Sequence, residues 1–356
     1  MDGVKKSRSM LNSKAAKAMT ASCREADKCD AIIETMKAAL DPLDISLQDS
    51  ASAFQGSEQE RAALDGAYVK QKELAKSLTA LEEQMVPAGY RTEVPDDYSD
   101  LPQLNGRATV EMSFKKPDGA PFNVNGVNYP TVNLVMIIDG YVGECGVCVF
   151  RVYASVCTFC CSSQQNLTIL SRYTILYYDD TAPVTGGNFV DLVEKGFYTN
   201  MAIQRSDGFV VQTGDPDGEA VGYTGGKAGK ALGAGKNGER LIPLEVTVKG
   251  DKGPIYEQTI EEWGRGGEAT VLPFSSYGAL GWAREEYDPN TGSSQFFWLL
   301  FDSDLTPAGK NLLDGNYPCF GYVVEGADLL ADVKEGDIIT SSKVTSGIEN
   351  LKKGGE

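Results

Sequence analysis

The spacing of apolar residues changes once along this chain, near residue 106, and that change decides what it can fold into. Before it, residues about 9–39 and about 46–86 read as helices. Leu74, Leu78, Leu81 and Met85 recur at i, i+4, i+7 and i+11 and form one apolar stripe, with Glu, Lys and Gln on the other face. Asp41-Pro42 predicts a break between the two helices. Two helices cannot bury their stripes alone, so this partial bundle (1–86) must pack on itself and on the next domain, or dimerise. Residues 87–105, with Pro87, Pro95 and Pro102, read as a linker.

From Ala108 the pattern alternates. Val110, Met112 and Phe114 sit on one face of a strand, and 132–138, 209–213, 241–249, 295–300 and 320–324 read as further strands. Residues 188–195, with Thr185 as N-cap, and 327–334 read as short helices. Together they predict an α+β chain, its N-terminal helical region followed over 106–350 by a closed antiparallel β-barrel capped by helices. Closure removes exposed sheet edges.

Composition excludes several chemistries. The 356 residues contain no histidine and carry a formal net charge of -17. Without histidine there is no Ser-His-Asp or Cys-His nucleophile scheme, and the usual general base, metal ligand and pH sensor are missing. The acidic balance argues against nucleic acid and anionic membranes as partners. Gly233-Ala-Gly-Lys-Asn-Gly238 matches G-x-G-x-x-G by letter, but a strand and not a helix follows, so no nucleotide site is expected and no cofactor is implied. Met-Asp-Gly-Val-Lys-Lys-Ser-Arg at the start is basic but no apolar run follows, so no signal segment is visible.

The densest motif is Arg-Ser-Asp-Gly-Phe-Val-Val-Gln-Thr-Gly-Asp-Pro at 205–216. Ala-Arg-Glu-Glu-Tyr at 283–287, Phe-Trp-Leu-Leu at 297–300, Leu-Asp-Gly-Asn-Tyr at 313–317 and Leu-Ala-Asp-Val-Lys-Glu-Gly-Asp at 330–337 follow. In this order and spacing the segments resemble the cyclophilin family of peptidyl-prolyl cis-trans isomerases, and most closely its large thylakoid-lumen branch that assists photosystem II assembly. The resemblance implies a chloroplast thylakoid-lumen protein that binds proline-containing segments, among them lumenal loops of photosystem II subunits. It implies Arg205 as the catalytic residue, with Phe209, Val210, Gln212, Ala283, Phe297, Leu313 and Tyr317 around the proline and its peptide. Prolyl isomerisation breaks no bond and only lowers a rotational barrier of about 18–20 kcal/mol, so a chain without histidine can perform it. A guanidinium suits the task, because it stays charged and can donate to the proline nitrogen as its lone pair localises. The alternatives are that Arg205 merely pairs with Asp207 on the surface, and that the apolar residues are ordinary core.

The chain departs from the family pattern at Gln204 and Tyr317, where histidines are usual, at Leu312 in place of a tryptophan and at Arg284 in place of an asparagine. These departures predict a chaperone with weak or absent isomerase activity; a fully competent isomerase is the alternative. A second departure is an insertion at about 142–180 between Asp139-Gly-Tyr141 and Ala182-Pro-Val-Thr185. It holds Cys145, Cys148, Cys157, Cys160 and Cys161. Its composition matches neither flank and reads first as a retained intron, then as a surface-loop insertion. A zinc or redox site on Cys145, Cys148, Cys157 and Cys160, making the chain a regulated binding protein, is the third reading, because the two pairs lie closer together than most zinc-ribbon spacings. Its apolar run is interrupted by polar residues and is not expected to span a membrane. Cys23, Cys29 and Cys319 are expected to be buried or unpaired structural residues.

Overall fold

The computed structural model describes residues 2–14, 16, 20, 23–85, 94–124, 126–139, 182–251, 253–301 and 311–354. The cysteine-rich insertion and the metal reading of Cys145, Cys148, Cys157 and Cys160 lie outside them. Among the described residues no group of His, Cys, Asp and Glu could hold a metal ion, and no helix is long and apolar enough to cross a membrane. The chain divides into two compact units, described separately below.

The first unit is helical: α1 (Asp2–Leu11), α2 (Ala26–Ser52) and α3 (Glu58–Met85). On α2 the buried residues Cys29, Ile33, Met36, Leu40 and Leu43 repeat at intervals of four and three, one continuous apolar stripe. Leu74, Leu78 and Leu81 are buried on α3, and the two helices pack against each other. The expected break at Pro42 does not occur: the helix runs through it. An internal proline costs roughly 3 kcal/mol, but a break there would interrupt the stripe between Leu40 and Leu43, each about as buried as a side chain can be. The chain turns instead at residues 53–57, where Gly56 has φ of +80°. Ser57 Oγ then accepts the Glu60 N–H at 3.1 Å and Glu60 reaches back to the Gly56 N–H, which starts α3 in the manner of a capping box. Cys23 and Cys29 form a disulfide that ties the approach to α2 to its first turn; of the expectation that they are buried or unpaired, Cys29 is buried but neither is unpaired. Cys319 is the free and buried cysteine among the described residues.

The second unit is built on an eight-stranded antiparallel sheet. Its strands are β2 (Arg107–Lys115), β5 (Val132–Asp139), β6 (Ile203–Ser206), β7 (Val210–Thr213), β10 (Ala279–Trp282), β11 (Phe296–Leu299), β12 (Cys319–Glu325) and β13 (Ile338–Ser346). Their order across the sheet is β13-β2-β5-β12-β10-β11-β7-β6. Short pairs form between β1 (Gln103–Leu104) and β14 (Leu351–Lys352), between β3 (Phe122–Val124) and β4 (Val127–Tyr129), and between β8 (Glu245–Val246) and β9 (Ile255–Tyr256). The sheet curls but stays open, a half-barrel and not the closed barrel expected. Its end strands β13 and β6 form no ladder and meet at the isolated bridge Ala202–Ile338. The reason is stagger: backbone hydrogen bonds join residues 200–203 to 336–339, so β6 runs on past the start of β13 and the two strands do not lie alongside each other.

The main core lies on one face of this sheet. Val110, Met112 and Phe114 of β2 alternate into it as the sequence predicts, with Leu134, Met136 and Ile138 of β5 opposite. Helix α4 (Pro183–Glu194) is buried from Pro183 to Val193. It starts five residues before the predicted 188–195 helix. Thr185 is not its cap. The Glu245 carboxylate accepts the Val184 and Thr185 N–H groups at 3.2 and 2.8 Å from β8 instead. Gly187 makes this packing feasible, since a Cβ there would stand 2.5 Å from the Gln103 Cα. Within the proline-containing stretch 87–105, Tyr98, Leu101 and Leu104 are buried in the same core.

Candidate functional site

Strand β11 is buried on both faces because alternate residues enter different clusters. Phe296 and Trp298 point into the main core, and Phe297 and Leu299 into a smaller cluster with Val210, Phe274, Ala279 and Cys319. Ala283, Leu313 and Tyr317 pack against this second cluster. Four residues of the predicted pocket other than Phe297 are therefore accounted for: Val210, Ala283, Leu313 and Tyr317.

Register places the polar candidates beside it. Arg205 on β6 is opposite Gln212 on β7, Gln212 is opposite Phe297 on β11, Phe297 is opposite Gly281 on β10, and Gly281 is opposite Cys319 on β12. Directly opposed residues share a face, so guanidinium, amide and aromatic ring form one row across the sheet. Gly281 is the gap in that row. A Cβ there would lie 2.1 Å from the Phe297 ring, so only glycine lets the ring lie over β10. Phe274 stacks on the other side of Phe297, centroids 5.7 Å apart, and Tyr317 meets it edge-on at 6.0 Å.

The row grades from buried to exposed. Phe297 is 5% exposed, whereas the Arg205 side chain is 53% exposed. Gln212 Nε2 donates to Gln295 Oε1 at 2.9 Å, and Gln295 Nε2 donates to the Val221 carbonyl at 2.8 Å, which orients the amide. Arg205 Nε donates to Asp207 Oδ2 at 2.7 Å, the surface pairing weighed as its alternative role. Asp207 Oδ1 accepts the Phe209 and Val210 N–H groups. The Val210 N–H above all, then the Phe209 N–H and the Arg205 guanidinium, holds the Asp207 carboxyl down at about 2 despite partial burial. Phe209 itself is not brought into the cluster: its ring is 45% exposed at the turn into β7.

The wall around Tyr317 combines Arg284, which the sequence singled out as a departure from the family pattern, with Asn311 and Phe274, which it did not mark. Asn311 Oδ1 accepts the Leu313 and Asp314 N–H groups, and Asp314 Oδ1 accepts the Phe274 N–H at 2.7 Å, which ties the two loops together. The Arg284 guanidinium lies 4.7 Å over the Tyr317 ring while its Nε donates to the Asn316 carbonyl. A small cavity next to this wall is lined by Glu245, Leu272, Asp314, Tyr317 and Cys319 among others. Burial pushes the Cys319 thiol up to about 12 and the Glu245 carboxyl up to about 7, the latter against the opposing effect of its backbone and Tyr256 hydrogen bonds. Phe274 stands in no strand and carries no periodic signal, so nothing in the sequence marked it.

The profile of the family described as cyclophilin type peptidyl-prolyl cis-trans isomerase/CLD matches residues 166–352. The chain belongs to the cyclophilin family. Among relatives of this cyclophilin is a chloroplastic peptidyl-prolyl cis-trans isomerase of Arabidopsis thaliana, CYP38. It is 43% identical over 287 residues, which cover 81% of this chain and 53% of the relative. A putative thylakoid lumen peptidyl-prolyl cis-trans isomerase of Synechocystis is 37% identical over 281 residues, 78% of this chain and 58% of the relative. A second chloroplastic isomerase of Arabidopsis thaliana, CYP37, is 29% identical over 284 residues, 78% of this chain and 48% of the relative. The chain thus spans about half the length of these relatives.

Proposed function

We propose that this cyclophilin binds proline-containing protein segments at the Arg205–Gln212–Phe297 row and works in the thylakoid lumen as a folding and assembly chaperone with weak isomerase activity. The observation that carries this reading is the row itself, a charged donor, an oriented amide and an aromatic floor on one face of the sheet. A proline ring lies against Phe297, Gln212 hydrogen-bonds the peptide backbone, and Arg205 faces the amide that rotates. Catalysis requires a donor that binds the twisted amide better than either planar form, and Arg205 is the donor in this reading. Supporting weak turnover, the pocket is largely filled by its own side chains: Phe274 and Tyr317 flank Phe297, and Arg284 covers Tyr317. The lumenal location and the role in photosystem II assembly rest on relatives named for the chloroplast and the thylakoid lumen.

The test is cis/trans exchange of a short Ala-Pro peptide followed by NMR, alongside peptide affinity. Uncatalysed exchange takes tens to hundreds of seconds, so modest acceleration is visible. The expected result is slight acceleration that disappears in Arg205→Ala while peptide affinity is nearly unchanged. Loss of affinity for proline peptides in the wild type would overturn the binding reading, and large turnover would make the chain a competent isomerase.

A further inference from the structure

Arg205 is not presented to the site as a free guanidinium. Arg205 lies one residue before the end of β6, and Asp207 is the first residue of the turn that follows. Both carboxylate oxygens of Asp207 are engaged. Oδ1 accepts the N–H groups of Phe209 and Val210 at 2.9 and 3.0 Å, which locks the carboxylate into the β6–β7 turn. Oδ2 accepts Arg205 Nε at 2.7 Å and Nη2 at 2.5 Å, a side-on grip of the guanidinium. The grip has two chemical consequences. It occupies the Nε edge of the fork, leaving Nη1 and the remaining Nη2 hydrogen to reach an amide. It also sets a full negative charge against the donor whose positive field is required where the proline nitrogen gains its lone pair. Because the turn N–H groups already fix the carboxylate, the anchor does not follow the guanidinium when a peptide arrives.

We propose that Asp207 is a latch on Arg205, a positioning residue that restrains turnover and leaves the site a binder of proline segments first and a catalyst second. This rests on the assignment of Arg205 made above. Since the carboxyl is held near 2, the latch stays charged at working pH and opens only through substitution or competition by bound peptide.

Asp207→Asn tests it. Asparagine keeps Oδ1 as acceptor for Phe209 and Val210 and replaces the oxygen that grips the guanidinium by an amide NH2. By NMR exchange on Ala-Pro peptides, kcat is expected to rise about fivefold, the upper end of what a partly exposed ion pair contributes, with KM little changed. The gain is expected to vanish in the Arg205→Ala/Asp207→Asn double variant. An unchanged or lower kcat in folded Asp207→Asn overturns the latch and leaves Asp207 as a turn residue or an aid to alignment. Asp207→Ala, which also removes the turn acceptors, separates the two. Turnover matching Asp207→Asn at a lower melting temperature supports the latch; turnover that falls together with the melting temperature overturns it. Arg205→Ala alone keeps this result distinct from the parent assignment. If it leaves wild-type exchange unaltered, the Arg205 assignment fails; if it lowers exchange while Asp207→Asn does not raise it, the latch alone fails.

Discussion

The two faces of β11 use the same kind of residue for different ends. Inward, Phe296 packs edge-on against Phe189 at 4.9 Å and Trp298 at 4.7 Å, in a core made from both ends of the sheet and from α4. Outward, Phe297 rests on Phe274 and Tyr317, side chains from two loops, with Arg205 and Gln212 at the open end of its row. Alternation along one strand thus separates the main core from the cluster proposed to bind peptide. The inner ring is held by regular elements that cannot move apart. The outer ring is held by side chains from loops that are tied to each other through Asp314 and the Phe274 N–H.

The largest expected effect breaks this comparison most directly. Phe296→Ala is expected to destabilise the protein by about 3–5 kcal/mol, the range for a large aromatic removed from a rigid core. Phe297→Ala is expected to cost clearly less stability, because the loops carrying Phe274 and Tyr317 can close the gap, yet to lose most peptide affinity. Denaturant titration of both variants checks it, and equal losses of stability would show that the outer cluster is core like the inner one.

Glu245 sharpens the comparison, since it belongs to both sides. It lines the cavity by Tyr317 and Cys319 and also caps α4, which packs in the main core. Its carboxyl is raised from 4.5 to about 7 by burial, so the folded protein holds a proton that the unfolded chain has released. The sign follows: this group's contribution is present below about pH 4.5, is lost as pH rises to about 7, and is flat above. The decline is on the order of 3 kcal/mol, and Glu245→Gln is expected to remove it. Unfolding free energies of wild type and variant at pH 4.5, 6 and 7.5 that run parallel would refute the buried, protonated carboxyl.

The smallest effect is expected at the open end of the row. Arg205→Ala should change stability by no more than about 0.5 kcal/mol, because the ion pair it removes is half exposed. A melting-temperature shift as large as that of Phe297→Ala would mean that Arg205 is structural.

Periodicity alone determined a good deal of this molecule. It marked the helical and alternating regions and the inward face of β2, whereas the family resemblance of the 205–216 and 297–300 motifs marked Arg205, Gln212 and Phe297, which strand pairing then set in one row. The regions and that face were legible because a two-residue or 3.6-residue repeat is a local property of the chain. Other decisions needed partners far away in sequence. Pro42 stays in a helix because the Leu40 and Leu43 stripe is buried, and α4 is capped by Glu245 about sixty positions on. Phe274 reaches Phe297 from a loop with no pattern, and Tyr98, Leu101 and Leu104 sit in the core although prolines and acids surround them. The sheet stays open because β6 and β13 are staggered and meet only around residues 200–203 and 336–339, which no local signal announced. Burial, desolvation and the meeting of loops depend on what lies opposite, and only the tertiary structure supplies that.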